Sequence, residues 1–210
     1  MKGLIIAFEG IDGCGKSTQV WKTAKYLFDK SKYNHVIVTR EPYSDKEIRK
    51  ILHAESDPYS RAIELTKRYV EDRKLHVREL INPALEKCHH VISDRYSLST
   101  FAYQQTQGIP LKELIKMHEN LPIPDVTFIV DVPAEVAIER MKKDEIRQTE
   151  QKFEKNIEFI KKLRENYLKL KDELKGYNIF IIDGRKSINE IFDCQIKPII
   201  DRLWTVHQNL

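Results

Sequence analysis

A glycine-rich stretch near the N-terminus carries the residue types best suited to chemistry. It reads Gly10-Ile11-Asp12-Gly13-Cys14-Gly15-Lys16-Ser17-Thr18, matches the pattern G-x-x-x-x-G-K-S/T and directly follows an apolar run. Its glycines let successive backbone N–H groups point at phosphate oxygens, and a helix that begins near Lys16 adds the positive end of its dipole. Lys16 would then bridge the β- and γ-phosphates of a nucleotide, and the Ser17 hydroxyl would ligate Mg²⁺. The pattern predicts a phosphate-binding loop over residues 10–18.

This loop does not identify a reaction by itself, because several classes of protein use it. GTPases, ATPases and small-molecule kinases all share it, and a glycine-rich turn that only caps a helix is the structural alternative. The sequence has no N-K-x-D segment, which a GTPase would be expected to carry. An ATP-dependent kinase and an ATP-binding switch or sensor are both compatible with the loop.

An acidic and a basic residue, Asp94-Arg95, follow the third apolar run. Open α/β sheets bind ligands at the carboxyl edge of their strands, so this pair is expected beside the phosphate-binding loop. Asp94 can hold magnesium through water, and Arg95 can neutralise the charge on a transferred phosphoryl group. The alternative is a surface ion pair. Asp131 and Asp183 also end apolar runs, but a helix-capping role for Asp131 and a turn role for Asp183 explain them.

Five short apolar runs read as the strands that position these residues. They are Leu4 to Phe8, His35 to Val38, Val91 to Ser93, Val126 to Val132 and Ile179 to Ile182. Successive apolar residues separated by long helical patterns are typical of parallel strands that are covered on both faces. The sequence predicts an α/β protein of the P-loop type, three layers α/β/α with a five-stranded parallel sheet, as a single domain over residues 1–210.

Helices are predicted between these strands from apolar residues at helical spacing. One helix follows the first strand, and another covers the region from Ile63 to Ile81 before the third. A long charged segment between Thr149 and Lys175 carries an apolar stripe that we expect to pack on the sheet. The stripe consists of Phe153, Ile157, Ile160, Leu163, Tyr167 and Leu170.

Composition narrows the class of protein further. The chain has 36 basic and 32 acidic residues and a formal net charge of +4, an excess too small to indicate a nucleic-acid-binding surface. Its apolar runs are far shorter than the roughly 18 residues that a membrane-spanning helix needs. Three widely spaced cysteines and the lack of a secretion signal favour reduced thiols and a cytoplasmic location.

Six segments form an ordered set of motifs along the chain. They are Phe8-Glu9-Gly10-Ile11-Asp12-Gly13, Thr39-Arg40-Glu41-Pro42, Asp94-Arg95-Tyr96, Ser99-Thr100-Phe101-Ala102-Tyr103-Gln104, Pro124-Asp125 and Asp131-Val132-Pro133-Ala134-Glu135-Val136-Ala137. Together they resemble the thymidylate kinase family of nucleoside monophosphate kinases over nearly the whole chain. The chain departs from the family after Pro42, where Tyr43-Ser44 stands in place of the two glycines that are common there.

The resemblance assigns residues to the acceptor nucleotide. The positions around it are Asp12, Glu41, Arg49, Tyr69, Arg73, Arg95, Thr100, Tyr103 and Gln104. By resemblance, Tyr69 would stack on thymine and Arg73 would donate to a base carbonyl. Thr100 and Gln104 would read the base edge. Arg49 is expected near the acceptor phosphate and Tyr103 near the sugar.

The spacing of Tyr69 and Arg73 agrees with this assignment. The two residues are four apart on a predicted helix and therefore project from one face. A flat apolar ring beside a fixed donor suits a base that carries carbonyl oxygens, and stacking of this kind contributes roughly 1 to 3 kcal/mol per base. The alternative is that both are ordinary residues of an amphipathic helix.

A basic segment from Arg140 to Arg147 resembles the short lid that covers ATP in the family, at about residues 140–150. The family supplies an arginine to the transferred phosphates from the phosphate-binding loop or from the lid, and this loop has none. We therefore expect the lid to supply it, with Arg147 as the first choice and Arg140 as the second. A solvated charged connection is the alternative.

The resemblance implies transfer of the γ-phosphoryl group of ATP to dTMP, giving dTDP and ADP, with Mg²⁺. Catalysis would rest on Lys16, Arg95, Asp12 and a lid arginine, and on Ser17 and Asp94 near the metal. A kinase that acts on dUMP, UMP or thymidine is the nearest alternative. The family commonly forms homodimers, and a long predicted helix between Ala62 and Glu86 offers a face for one.

Overall fold

Five parallel strands form one sheet in the order β2-β3-β1-β4-β5. The computed structural model describes residues 3–54, 57–143 and 156–208. The strands are β1 Ile5–Glu9, β2 Val36–Arg40, β3 His90–Asp94, β4 Val126–Asp131 and β5 Ile179–Asp183. The predicted parallel sheet is therefore confirmed, and each strand begins and ends within two residues of the apolar run that predicted it.

All strands end at the same edge of the sheet because all run in parallel. The register pairs both Phe8 and Arg40 with Asp94, and it pairs Asp131 with Asp183. β1 lies between β3 and β4. The loop that follows β1 therefore adjoins the segments that follow β3 and β4, which is where open α/β sheets bind ligands.

Helices connect the strands and cover both faces of the sheet. They are α1 Lys16–Lys30, α2 Lys46–Ala54, α3 Ala62–His76, α4 Asn82–Glu86, α5 Ser97–Thr106, α6 Leu111–Met117, α7 Ala134–Lys142, α8 Ile157–Glu173, α9 Ile188–Glu190 and α10 Lys197–Gln208. From β1, Ile5 packs in a cluster with Val77 and Ile81, whereas Ile6 belongs to the larger cluster with Leu27 of α1. The predicted three-layer α/β/α fold is confirmed.

Two helical stretches contain π-helical turns. Val77–Ile81 joins α3 to α4, and Ile191–Ile196 joins α9 to α10. In both, a proline stands two residues after the wide turn, at Pro83 and Pro198. A proline lacks the backbone N–H and its ring crowds the carbonyl four residues earlier, which a wider turn accommodates. The predicted helix from residue 62 to residue 86 is continuous but changes its winding in the middle.

Two local predictions have different outcomes. Asp131 does not cap α7, because its carboxylate accepts two hydrogen bonds from Arg164 at 2.6 and 2.8 Å, so that prediction was wrong. The turn role of Asp183 is confirmed, since its carboxylate accepts the backbone N–H of Arg185 at 3.1 Å. The ion pair on Asp131 fixes α8 to the end of β4, which a local sequence pattern could not indicate.

The long charged segment forms α8 over Ile157–Glu173. Its buried side is made of Phe159, Ile160, Leu163, Tyr167 and Leu170, as the stripe predicted. Residues 149–155 of the predicted helix lie outside the described residues, as does most of the expected lid after α7. Among the helices that the structure describes, none has the length and apolar character needed to cross a membrane.

Candidate active site

The phosphate-binding loop is shaped by glycines that no other residue could replace. Gly10 and Gly13 have φ of 132° and 79°, a region that side chains disfavour. A Cβ at Gly10 would lie 2.5 Å from the Val130 carbonyl oxygen, and one at Gly13 would lie 2.4 Å from that of Ala137. α1 begins at Lys16, as predicted. The loop therefore curls in the way that presents backbone N–H groups to an anion.

Lys16 is buried in this loop and bonds to the loop itself. Its Nζ donates to the carbonyl oxygens of Gly10 at 3.1 Å and Ile11 at 2.9 Å, and it lies 3.7 Å from Cys14 Sγ. Burial raises the pKa of the Cys14 thiol, so the sulfur accepts as a neutral group. The ammonium is thus hydrogen-bonded to neutral acceptors, and phosphate oxygens would be stronger partners for it.

Ser17 and Asp94 make a small set of oxygen donors beside the loop. Ser17 Oγ donates to Asp94 Oδ2 at 2.7 Å. In the described part of the chain, no group of three His, Cys, Asp or Glu side chains forms a ready metal cage. Mg²⁺ prefers oxygen ligands and usually keeps several waters beside substrate phosphates. The pair therefore fits an ion that arrives with a nucleotide.

Arg95 lies between the phosphate-binding loop and α5. Its guanidinium donates to Asp12 Oδ1 at 2.7 Å, Ser99 Oγ at 2.9 Å and the Gly10 carbonyl oxygen at 3.2 Å. Its φ of 73° is unusual for a residue with a side chain, so the turn after β3 is strained. The Arg95 side chain is 17% exposed and lines the cleft. It can reach a phosphoryl group there.

Arg73 is buried at 1% exposure with acceptors around its whole guanidinium. It bonds Glu41 with Nε and one terminal nitrogen, the Tyr96 carbonyl oxygen at 2.9 Å and Thr100 Oγ1 at 3.1 Å. Its last donor bonds His118 Nε2 at 2.6 Å. Burial, with Arg73 nearby, lowers the pKa of His118 to about 3, so the ring is neutral and accepts this bond. Arg73 therefore reaches the cleft as part of a satisfied network.

Gln104 brings an unpaired acceptor into the same region. It is fully buried, and its Nε2 donates to the Ala62 carbonyl oxygen at 3.2 Å and to Thr66 Oγ1 at 3.1 Å. The Ala62 carbonyl can only accept, so the orientation of the amide is fixed. Oε1 then has no partner among the described residues. A buried unpaired acceptor costs free energy unless a ligand donates to it.

The segment after β2 is held on α3. The Asp72 carboxylate accepts the backbone N–H groups of Tyr43, Ser44 and Asp45. The Tyr43 ring stacks on His76 with 4.5 Å between centroids and 14° between planes. In this chain, these contacts fix the backbone where the family commonly has two glycines.

Two exposed arginines face the cleft from this side. Arg49 lies on α2, and Arg40 ends β2. Both line the cleft, and neither makes an ion pair with any described residue. They are available to an anionic group of a ligand.

Arg140, the second choice for the lid arginine, lies on α7 against the phosphate-binding loop. It donates to the Cys14 carbonyl oxygen at 3.3 Å and the Gly184 carbonyl oxygen at 3.0 Å. Arg147, the first choice, lies outside the described residues. The structure thus brings Arg140 to the loop but leaves the choice between the two arginines a prediction.

One cleft of about 580 Å³ joins most of the predicted site residues. Those that line it are Asp12, Gly13, Gly15, Lys16, Ser17, Thr18, Glu41, Arg49, Tyr69, Arg73, Asp94, Arg95, Thr100, Tyr103, Gln104 and Arg140. Gly10, Ile11 and Cys14 belong to the loop but do not line the cleft. Phosphate-binding and base-binding candidates thus share a single space, although their individual roles stay predictions.

Comparison with known proteins decides the family. A family model described as thymidylate kinase matches residues 8–194. The chain belongs to the thymidylate kinase family. A probable thymidylate kinase of Saccharolobus solfataricus is 37% identical over 200 residues, covering 95% of this chain and 98% of that protein. The thymidylate kinase of Thermosipho melanesiensis is 37% identical over 207 residues, with the same two coverages.

A solved structure agrees with this membership of the thymidylate kinase family. The crystal structure of the thymidylate kinase from Ehrlichia chaffeensis superposes with a TM-score of 0.73 at 25% identity. The match covers 95% of this chain and all of that one. Family membership makes this chain an ATP-dependent nucleoside monophosphate kinase.

Several residues at the site of this thymidylate kinase family member were not predicted from the sequence to act there, and three of them bear on its chemistry. Arg40 lines the cleft, and its position after a strand in Thr39-Arg40-Glu41-Pro42 was the available signal. Glu9 and Tyr167 lie behind Arg95, where Tyr167 OH is 3.2 Å from an Arg95 nitrogen. Tyr167 was assigned to the core because it falls at the helical spacing of the apolar stripe. That spacing does not show that its hydroxyl bonds to a site residue.

Proposed function

We propose that this chain transfers the γ-phosphoryl group of ATP to dTMP, with Mg²⁺, through the residues that line the cleft. The observation that carries the proposal is the continuity of the cleft from Lys16 and Ser17 to Tyr69 and Gln104. A triphosphate at one end and a flat base at the other would place two phosphate groups face to face. Such positioning is the main source of catalysis in phosphoryl transfer.

The donor end is built for a triphosphate. Backbone N–H groups of residues 10–15 and the N-terminus of α1 would hold the phosphates, and Lys16 would move from the loop carbonyls to the β- and γ-oxygens. Ser17 and Asp94 would hold Mg²⁺, Asp94 through water. The ion would supply positive charge that stabilises the charge of the transferred phosphoryl group.

The acceptor end favours a base with an N–H between two carbonyls. The unpaired Oε1 of Gln104 would accept the N3–H of thymine or uracil, whereas cytosine offers an acceptor at that position. Thr100 Oγ1 already accepts from Arg73, so its own proton is free to turn towards a base carbonyl. Arg73 would act on the base through Thr100 or by exchanging one of its bonds.

Tyr69 would supply the stacking surface for that base. It is half-buried on α3 one turn before Arg73, and burial raises the pKa of its hydroxyl to about 12. Its ring therefore stays neutral and presents a flat face. Near the sugar, Tyr103 donates to Asp12 Oδ2 at 3.1 Å, which fixes both side chains.

Phosphate charges would be met from several sides. Arg49 and Glu41 would lie on the acceptor side, and Arg95 would lie between the two phosphates. Arg140 or Arg147 would neutralise the transferred group from the side of the lid. An oxygen of the acceptor phosphate is already nucleophilic, so in-line attack on the γ-phosphorus needs no strong general base. A closed site would also exclude water from the transfer.

A coupled ADP assay with a panel of acceptors tests this function. We expect dTMP to support the fastest ADP formation, dUMP to follow, and dCMP to be at least about tenfold poorer because Gln104 would lose its donor partner. If UMP or thymidine supported the same rate as dTMP, the assignment of dTMP as acceptor would be wrong, whereas the assignment as a kinase would still hold. ATP turnover that did not depend on any acceptor would instead favour an ATP-binding switch.

The chain is further proposed to act in the cytoplasm as a homodimer. Support comes from the family resemblance, with the helical stretch from α3 to α4 as the candidate face. Sedimentation equilibrium would be expected to give about twice the 24.8 kDa of one chain. A monomer at micromolar concentration would contradict the dimer without affecting the proposed reaction.

A further inference from the structure

Glu9, the last residue of β1, is a buried carboxylate that the proposed reaction does not use. Its side chain is fully enclosed, and its Oε1 accepts the backbone N–H groups of Tyr96 at 2.8 Å and Ser99 at 3.1 Å. These two N–H groups flank the start of α5, directly after the strained Arg95. One carboxylate oxygen therefore holds the backbone that turns Arg95 towards the cleft.

The second oxygen of Glu9 connects to the guanidinium itself. Ser99 Oγ donates to Glu9 Oε2 at 2.5 Å and accepts from Arg95 at 2.9 Å. Tyr167 OH lies 2.9 Å from Ser99 Oγ, 3.2 Å from an Arg95 nitrogen and 3.5 Å from Glu9 Oε2. Three side chains from β1, α5 and α8 thus converge behind the face that Arg95 presents to ligands.

We propose that Glu9 and Tyr167 are positioning residues for phosphoryl transfer, which hold Arg95 in its strained conformation through Ser99, the Tyr96 backbone and the direct Tyr167 contact. The proposal rests on the proposed function, in which Arg95 contacts the phosphoryl group. Neither side chain lines the cleft, so neither touches a ligand. Their effect on the reaction passes through the backbone turn and the guanidinium of Arg95.

The ionised form of Glu9 suits this role. As a carboxylate it only accepts, so the Ser99 hydroxyl points at Glu9 and leaves its oxygen to Arg95. A protonated Glu9 would compete as a donor for that same oxygen. Burial raises the pKa of Glu9 to about 7, against the opposing effects of Ser99 and Arg95. The charged or titratable groups that face Glu9 are Arg95, Tyr167 of α8 and, farther away, Arg73 of α3.

The first test is the pH profile of kcat in the wild-type enzyme and in Glu9→Gln. Wild-type kcat should fall as pH drops through about 7, the pKa of Glu9. In Glu9→Gln the limb near 7 should disappear, and only the protonation of the acceptor phosphate, at about 6, should limit the rate. The same limb near 7 in both enzymes would overturn the proposal.

The second test uses Tyr167→Phe, which keeps the ring and removes only the hydroxyl. We expect kcat to fall roughly ten- to hundredfold with little change in the KM for ATP. Tyr26→Phe is the matched control, because Tyr26 OH also bonds a carboxylate, that of Asp201, but outside the cleft. Equal kcat in the two variants would contradict the role of Tyr167, even if Glu9→Gln failed to fold.

A double variant shows whether the two residues act through the same group. If both work on Arg95, the loss in Glu9→Gln with Tyr167→Phe should be smaller than the product of the single losses. Fully independent losses would overturn the shared route. Wild-type enzyme without dTMP-dependent ADP formation would refute the proposed function instead, before any variant is compared.

Discussion

At the scale of single residues, the Lys16 ammonium is held by weak acceptors that a phosphate group can displace. Its ammonium is buried, yet among the described residues it contacts two backbone carbonyl oxygens and no carboxylate. A carboxylate partner would have to be displaced at a cost when a triphosphate binds, whereas carbonyl oxygens are weaker competitors. The arrangement therefore favours exchange of Lys16 onto phosphate.

Replacing Lys16 should remove most of the activity. In Lys16→Ala we expect kcat/KM for ATP to fall by about a hundredfold or more, because a group that stabilises transition-state charge is lost. The coupled ADP assay measures this. Lys25→Ala is the control on the same helix, since the Lys25 side chain is 78% exposed and its ion pair is with the neighbouring Asp29. A similar loss in both variants would contradict the role of Lys16.

Glu9 should also make the stability of the protein depend on pH. Its pKa is raised from an ordinary 4.5 to about 7 in the folded state, so the folded protein binds a proton that the unfolded chain has released. This contribution is fully present below pH 4.5 and is lost as pH rises through about 7. Its full size is about 3 kcal/mol at 1.36 kcal/mol per pKa unit.

Urea unfolding of wild type and Glu9→Gln between pH 4.5 and 8 checks this. The free energy of unfolding of the wild type relative to the variant should decrease as pH rises across that window, because glutamine does not titrate. A constant difference would show that Glu9 has an ordinary pKa. In the expected case, the protein loses stability in the same pH range where its activity is expected to rise.

At the scale of elements, the segment after β2 depends on one side chain of α3. Asp72 is buried and accepts three consecutive backbone N–H groups, so its removal leaves three donors without their partner. We expect Asp72→Ala to lower the free energy of unfolding by about 2 to 3 kcal/mol. The segment also carries Glu41 and Pro42, which line the proposed acceptor end of the cleft.

The same variant should affect the KM for dTMP and the KM for ATP to different extents. In Asp72→Ala the KM for dTMP should rise about tenfold, while the KM for ATP stays within about twofold, because β3 separates the strand before this segment from β1, which precedes the phosphate-binding loop. Asp29→Ala, which removes a half-exposed carboxylate from an exposed helix pair, serves as the control. Equal rises in both KM values would argue against a local effect on the acceptor.

The elements differ in how far the sequence could predict them. The strands were predicted within two residues because buried parallel strands are continuous apolar runs between helical patterns. The π-helical turns were missed, since apolar spacing does not distinguish a wide turn from a regular one, although Pro83 and Pro198 mark both. Asp72 was missed because the backbone it holds lies about thirty residues away in the chain, and no local rule joins them.

Some site residues were predicted from the sequence and others were missed, because local patterns do not show contacts between distant parts of the chain. Residues that belong to a local motif, such as Lys16, Ser17 and Arg95, could be found from spacing and resemblance. Glu9 belongs to such a motif too, but its partners Ser99 and Tyr167 are 90 and 158 residues away in the chain. Only the fold brings those three side chains together, so their role had no signal in the sequence alone.

At the scale of the whole molecule, one sheet and its two helical layers carry both ends of the cleft. The phosphate-binding loop follows the central strand, and the proposed acceptor end is built by α3, α5 and the segment after β2. Because these parts share one core, we expect a single cooperative unfolding transition. Binding at either end should then stabilise the entire chain.

Thermal unfolding with each ligand tests this coupling. ATP with Mg²⁺ at about 100 times its Kd should add about 2.7 kcal/mol to the free energy of unfolding, and dTMP at the same excess should do likewise. In Lys16→Ala the effect of ATP should be largely lost while that of dTMP persists. Two separate transitions, or a dTMP effect that also depends on Lys16, would contradict this expectation.

The wide turn between α3 and α4 gives the chain one residue more than a regular helix of that span requires. Arg78 lies in this turn with its side chain 73% exposed. Shortening the chain by that single position would let the turn rewind to regular α-helical geometry without shifting Tyr69 or Arg73 on one side or Leu85 on the other. Evolution can therefore vary the length of this protein here at little cost, whereas the same deletion inside α3 would rotate Tyr69 or Arg73 out of the cleft.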